Sequence, residues 1–132
     1  PHVLVVDDSP TNLVVARRFL ENHDLKVTTA AEGDEAIQLF ERHRFDLILM
    51  DLSMPLRDGY DTTRILRRME RDAGHPPCPI VALSAHILPE EREKALAAGF
   101  TDYLTKPLRK KALFATLSAA LEGRRSTLQD SA

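Results

Sequence analysis

Apolar residues in this chain fall into short unbroken runs separated by stretches with helical periodicity. Val3-Leu4-Val5-Val6, Leu47-Ile48-Leu49-Met50 and Ile80-Val81-Ala82-Leu83 are too short for helices. They are also too continuous for strands with one wet face, so they read as strands covered on both sides. Lys26 to Ala30 and Asp102 to Thr105 supply two more strands. A first helix is predicted from Pro10 to about Asn22, with Ser9 as N-cap and Pro10 at the first helical position, where its missing N–H does no harm. Leu13, Ala16 and Leu20 face inward on it, and Arg17, Arg18 and Glu21 outward. Gly33 lets the chain turn into a second helix with the stripe Ala36, Ile37 and Phe40; Asp34 and Glu35 at its start and Arg42 and Arg44 at its end complement the helix dipole.

The third helix opens at Asp58-Gly59, with Ile65, Leu66 and Met69 inward and Arg67, Arg68 and Glu70 in solvent. Residues 73–79, with Pro76, Pro77 and Pro79, can be neither helix nor central strand and form a surface loop. A fourth helix starts at Pro89 and closes at Gly99; its inward set, Ala95 and Ala98 with Leu96, buries little surface, so it is expected to be the loosest. The last helix carries Leu113, Phe114, Leu117, Ala120 and Leu121 and is expected to stop at Gly123. Strict alternation of strand and helix specifies an α/β fold, a doubly wound five-stranded parallel sheet. One domain is expected over residues 1–123, with 124–132 as a polar C-terminal tail. Right-handed crossovers bring the C-terminal ends of the strands to one edge, so Asp7, Asp8, Asp51, Ser84 and Lys106 should converge there.

Composition narrows the function classes. The chain has 132 residues, 43% hydrophobic and 29% charged, and 18 basic against 20 acidic residues leave a net charge of −2. No nucleic-acid footprint is present, because Arg67, Arg68, Arg71, Lys110 and Lys111 alternate with apolars and acids as on solvated helix faces. Cys78 is the single cysteine, excludes an intrachain disulfide, and reads as incidental. No apolar run is long enough to span a membrane and no signal peptide opens the chain, so no membrane contact and a cytoplasmic location are expected.

Three carboxylates converging on one edge would repel one another unless a cation lay between them. An oxygen-only ligand set with room for water suits Mg²⁺. In that setting Asp51 is a candidate nucleophile able to form an aspartyl phosphate, Lys106 and Mg²⁺ offset charge on phosphoryl oxygens, and Ser84 donates a hydrogen bond to one of them.

The motifs Val6-Asp7-Asp8, Asp46-Leu47-Ile48-Leu49-Met50-Asp51, Met54-Pro55 with Asp58-Gly59, Ala82-Leu83-Ser84-Ala85 and Tyr103-Leu104-Thr105-Lys106-Pro107 together resemble the response-regulator receiver domains of two-component signalling, over essentially all of residues 3–123. The resemblance implies a flavodoxin-like fold with strand order 2-1-3-4-5. It also implies transfer of phosphate from a histidine to Asp51, and Mg²⁺ held by Asp8, Asp51 and the Ser53 backbone carbonyl, with Asp7 acting mainly through water. Ser84 and Tyr103 would then act as the switch that reshapes the surface of the fourth helix and fifth strand. Asn12, Gly59-Tyr60-Asp61 and Ala82-Leu83-Ser84-Ala85-His86 look most like receivers of hybrid histidine kinases and phosphorelays. Departures are small: Ser84 stands where threonine is common and Arg57 where methionine is frequent.

Rival readings fail at named residues. A flavin-binding relative needs a Gly- and Ser-rich phosphate loop where Asp7-Asp8 stands, and an aspartyl phosphatase usually has a second acid where Ser53 stands. A pseudo-receiver usually lacks one of the residues present here. The implied partner is a histidine kinase or a histidine phosphotransfer domain, docking beside the first helix, where Val14 or Val15 should remain partly exposed. The isolated chain is expected to be a monomeric phosphoacceptor rather than an enzyme, and its opening at the first strand suggests a receiver unit of a longer protein.

Overall fold

Strands and helices alternate as the hydrophobic pattern requires in the computed structural model, which describes residues 1–21, 23–85 and 88–130, with side chains as far as Glu122. Asn22, His86, Ile87 and the last two positions of the tail lie outside the described residues. The elements are β1 (His2–Val6), α1 (Pro10–Leu20), β2 (Lys26–Ala30), α2 (Gly33–Arg42), β3 (Leu47–Asp51), α3 (Gly59–Ala73), β4 (Ile80–Ser84), α4 (Pro89–Ala98), β5 (Asp102–Thr105) and α5 (Lys110–Asp130). All strand pairs are parallel and their order is β2-β1-β3-β4-β5, as the resemblance implied.

Side chains alternate across the sheet, so residue parity decides which layer each strand position meets. Val3, Val5, Leu47, Leu49, Val81, Leu83 and Leu104 pack with Ala16 and Leu20 of α1 and Leu113 and Leu117 of α5. Leu4, Val6, Ile48, Met50, Ile80 and Ala82 pack on the other face with Ala36 of α2, Leu66 of α3, and Ala95 and Ala98 of α4. Burying side chains such as Leu4, Ile48, Leu66 and Leu113 stabilises the domain by about 1.5–3 kcal/mol each. Register then sets the edge: Val6 pairs with Met50 and Asp51 with Leu83, so Asp7 and Asp51 lie level where the two strands end.

Several expectations are corrected. Arg67 and Glu70 are not on a solvated face: Glu70 is 4% exposed and pairs with Arg67 at 2.8 Å. Glu70 also accepts from the Cys78 N–H at 2.6 Å, while Arg67 donates to the carbonyls of Cys78 and Gly99 at 2.7 and 2.9 Å. The pair satisfies backbone groups of the proline-rich loop and of the α4–β5 turn. That loop also buries Cys78, whose thiol donates to the Phe45 carbonyl at 3.2 Å, so this cysteine is part of the core. Leu96 is 58% exposed instead of packing inward. α5 continues through Gly123 to Asp130, since one interior glycine costs a helix only about 1 kcal/mol. Gly33 is needed for closeness more than for turning, because a Cβ there would lie 2.3 Å from the Thr62 hydroxyl oxygen of α3.

Candidate functional site

Asp7 directly follows β1 and Asp51 ends the neighbouring β3, and both are 1% exposed. By parity both belong to the sheet face covered by α1 and α5. Lys106, two residues beyond Leu104, belongs to the same face, and its N–H donates to the Ser84 carbonyl at 2.8 Å, which extends the sheet pairing one step past β5. Its ammonium therefore reaches back over the strand ends, 2.9 Å from Asp51 Oδ1 and 3.4 Å from Asp7 Oδ2. The loop after β1 arranges Asp7: its Oδ1 accepts from the Ser9 N–H at 2.9 Å and its Oδ2 from the Asn12 side-chain amide at 3.2 Å. Ser9 in turn caps α1 by accepting from the Asn12 N–H at 3.3 Å.

Around Asp51, the Ser53 N–H donates to Oδ1 at 3.2 Å, whereas Oδ2 is buried with no hydrogen-bond partner among the described residues. Gly59 allows this loop to close: its N–H donates to the Leu52 carbonyl at 3.1 Å, and a Cβ would collide with the Asp51 carbonyl oxygen at 2.2 Å. Burial raises the Asp51 carboxyl from 3.8 to about 6; the Lys106 hydrogen bond opposes the rise, the Asp7 charge adds to it, and the Ser53 N–H opposes it. Burial works against the Lys106 charge as well, but its hydrogen bond to Asp51 and the charges of Asp51 and Asp7 prevail and hold the ammonium above its ordinary value.

Asp8 is exposed, and oxygens of Asp7, Asp8 and Asp51 lie within 4.8 Å of one another. A hard divalent cation fits this donor set: the ligands are all oxygen, and the buried Asp51 Oδ2 has no hydrogen-bond partner among the described residues. Four of the expected residues, Asp7, Asp8, Asp51 and Lys106, thus come together, with exposed Ser53 beside them. Ser84 and Tyr103 lie on the other face by parity. The Ser84 hydroxyl donates to Glu91 Oε2 at 3.3 Å, and the Arg92 guanidinium carbon stands 4.8 Å above the Tyr103 ring centre. Neither α4 residue was among the site candidates, since a charged pair in the first turns of an exposed helix carries no sequence signal of its own.

A cavity of about 80 Å³ runs from this edge under α1, between Asp7, Asn12, Val15, Lys106 and Leu108. Beside it Val14 is 50% exposed, and Leu56, in the loop after Asp51, is 96% exposed with φ +69. A larger cavity, about 250 Å³, lies at the opposite end of the sheet near Arg44, Phe45 and His75, away from the acids.

The model of the response regulator receiver domain matches residues 3–118. The chain belongs to the response regulator receiver domain family. Among similar receivers, the sensor histidine kinase GacS of Pseudomonas protegens is 40% identical over 113 residues, 86% of this chain but only 12% of that kinase. The chemotaxis protein CheY4 of Vibrio cholerae superposes with a TM-score of 0.84 at 32% identity, covering 91% of this chain and 98% of that one. A third similar structure is the Saccharomyces cerevisiae complex of the histidine phosphotransfer signalling protein Ypd1 with the receiver domain of its downstream response regulator Ssk1. It has 34% identity and a TM-score of 0.81, covering 85% of this chain and 82% of that one. Among the described residues of this receiver domain, no helix is long and apolar enough to cross a membrane.

Proposed function

We propose that this receiver domain accepts a phosphoryl group from a partner phosphohistidine onto Asp51, and that Mg²⁺ is required. The observation that carries the reading is the asymmetry of the Asp51 carboxylate: one oxygen is held by Lys106 and the Ser53 N–H, and the other is buried beside Asp7 and Asp8 with no hydrogen-bond partner among the described residues. A carboxylate so held is oriented for attack while its charge remains incompletely neutralised. In the transfer, the P–N bond of the phosphohistidine breaks as a P–O bond to Asp51 forms. The imidazole ring retains the bonding electron pair and takes a proton from solvent. Lys106 stays against the site and offsets charge on the phosphoryl oxygens, and Ser84 turns to donate a hydrogen bond to one of them. Asp8, Asp51 and the Ser53 carbonyl would hold Mg²⁺, with Asp7 assisting through water, because its oxygens already accept from Ser9 and Asn12. When bound, Mg²⁺ supplies further charge neutralisation at the phosphoryl oxygens.

Recruitment of Ser84 opens space for Tyr103 to turn inward and so reshapes the surface of α4 and β5. The domain is thus a phosphoacceptor switch that takes part in its own phosphorylation, and it works in the cytoplasm, where histidine kinases draw on ATP. The partner is a histidine kinase dimerisation domain or a histidine phosphotransfer domain. It docks beside α1, because a donor imidazole must approach Asp51 roughly in line from the strand-end edge, which the exposed Val14 and Leu56 border. The similar receiver domain of Ssk1 is found in a complex with the histidine phosphotransfer signalling protein Ypd1, which supports a partner of this class. Mixing the chain with a radiolabelled, phosphorylated histidine phosphotransfer protein in the presence of Mg²⁺ should move the label to the chain. Retention of the label by every histidine donor tried, kinase dimerisation domains included, would overturn the partner assignment.

A further inference from the structure

Ser84 and Tyr103 share the sheet face covered by α4, because they alternate with Leu83 and Leu104, which pack under α1 and α5. Two adjacent α4 residues reach them: Glu91 accepts from the Ser84 hydroxyl at 3.3 Å, and Arg92 stacks over the Tyr103 ring at 4.8 Å. Glu91 is half-buried, unlike the exposed Glu90 and Glu93 beside it, so it does more than complement the helix dipole. Ala95, one turn further on, closes the small cavity between Ser84 and Tyr103 with a side chain too short to fill it.

We propose that Glu91 and Arg92 are positioning residues that hold both switch side chains in the unphosphorylated arrangement, and that their contacts set the threshold for switching. The proposal rests on the reading of Asp51 as phosphoacceptor and Ser84 as donor to its phosphoryl group. A serine hydroxyl has one proton to donate. While that proton goes to Glu91 it cannot go to a phosphoryl oxygen, and the bond it must leave is charge-assisted. Tyr103 likewise cannot turn toward the space Ser84 vacates without leaving the face of the Arg92 guanidinium. Because the two holding residues are consecutive in the chain, displacement of one disturbs the other.

The far end of α4 is tied independently. Gly99, at φ +109, caps the helix by donating to Ala95 and Leu96, and its carbonyl accepts from Arg67 of α3 at 2.9 Å. At the near end the N-cap, Leu88, supplies no side-chain hydrogen bond. Release at Glu91 and Arg92 therefore lets α4 pivot about its C-terminal end.

The test uses beryllofluoride with Mg²⁺ as the phosphoryl probe, with affinity and the Tyr103 ring environment followed by NMR. Glu91→Ala should tighten beryllofluoride binding by about 3- to 10-fold, the net worth of one long hydrogen bond no longer competing for Ser84. Glu91→Gln, which keeps an acceptor without the charge, should fall between Ala and wild type. Arg92→Ala should shift the unliganded Tyr103 resonances toward their liganded positions. A role confined to stabilising the helix would lower unfolding stability and leave the affinity unchanged or weaker, and that result overturns the proposal. If the wild type fails to bind the probe, or Asp51→Asn binds it equally well, the phosphoacceptor reading itself falls.

Discussion

Removal of the Asp51 charge should stabilise the metal-free protein, and the gain should depend on pH in a defined direction. In the folded chain the Asp51 carboxyl is pushed from 3.8 up to about 6, first by burial. Between those values the folded state binds more protons at this group than the unfolded state does, so its contribution to stability falls as pH rises through that window and is level above it. A shift of about two units corresponds to roughly 3 kcal/mol. Asp51→Asn keeps the shape of the protonated acid and cannot ionise. In EDTA its stability advantage over wild type should therefore grow from near zero around pH 4 to about 1–3 kcal/mol at pH 7. Urea unfolding of both proteins at half-unit pH steps measures this, and the subtraction cancels every other titrating group the two share. Mg²⁺ at about 100 times its dissociation constant should then restore about 2.7 kcal/mol to the wild type at pH 7 and much less to the variant. A constant difference across pH 4 to 7, or an Asn variant less stable than wild type at pH 7 in EDTA, would refute the picture of an electrostatically frustrated carboxylate.

Replacement of Lys106 by Met should leave the protein folded but slow acetyl-phosphate labelling by about 100-fold, read as initial rates at saturating Mg²⁺. Arg67→Ala strands the buried Glu70 carboxylate and should cost about 3 kcal/mol or more in urea unfolding, with labelling of Asp51 retained at low temperature. Val14→Glu should slow phosphotransfer from a histidine donor while leaving acetyl-phosphate labelling at the wild-type rate, because only the protein donor needs the surface of α1.

The sheet was legible because strands covered on both faces leave unbroken apolar runs, and each run stops where the chemistry starts, at Asp7, Asp51 and Ser84. Strand order came from the family resemblance, since no local pattern says which strand lies beside which. Arg67 and Glu70 were misread for a physical reason: a charged pair three residues apart on a helix looks the same whether solvent or a proline-rich loop covers it. The loop that buries them has no periodicity to announce where it runs. Cys78 was misread with it, because its burial depends on the same loop. Leu96 fits an inward stripe by spacing, but in an alanine-rich helix a small rotation about the axis decides which face is buried. At Gly123 the stop signal was real but weak, worth about 1 kcal/mol against a run of helix-forming neighbours. Asp7, Asp8, Asp51 and Lys106 could be placed together because topology brings strand ends to one edge. Glu91 and Arg92 could not, since their contacts depend on how α4 lies over β4 and β5.

The most direct test of Asp51 as the Mg²⁺-dependent phosphoacceptor is the intact mass of the chain after incubation with acetyl phosphate. The wild type with Mg²⁺ should gain one phosphoryl group, and neither the EDTA-treated protein nor Asp51→Asn should gain any. A phosphoryl group on the Asn variant, or equal labelling with and without Mg²⁺, would contradict the account.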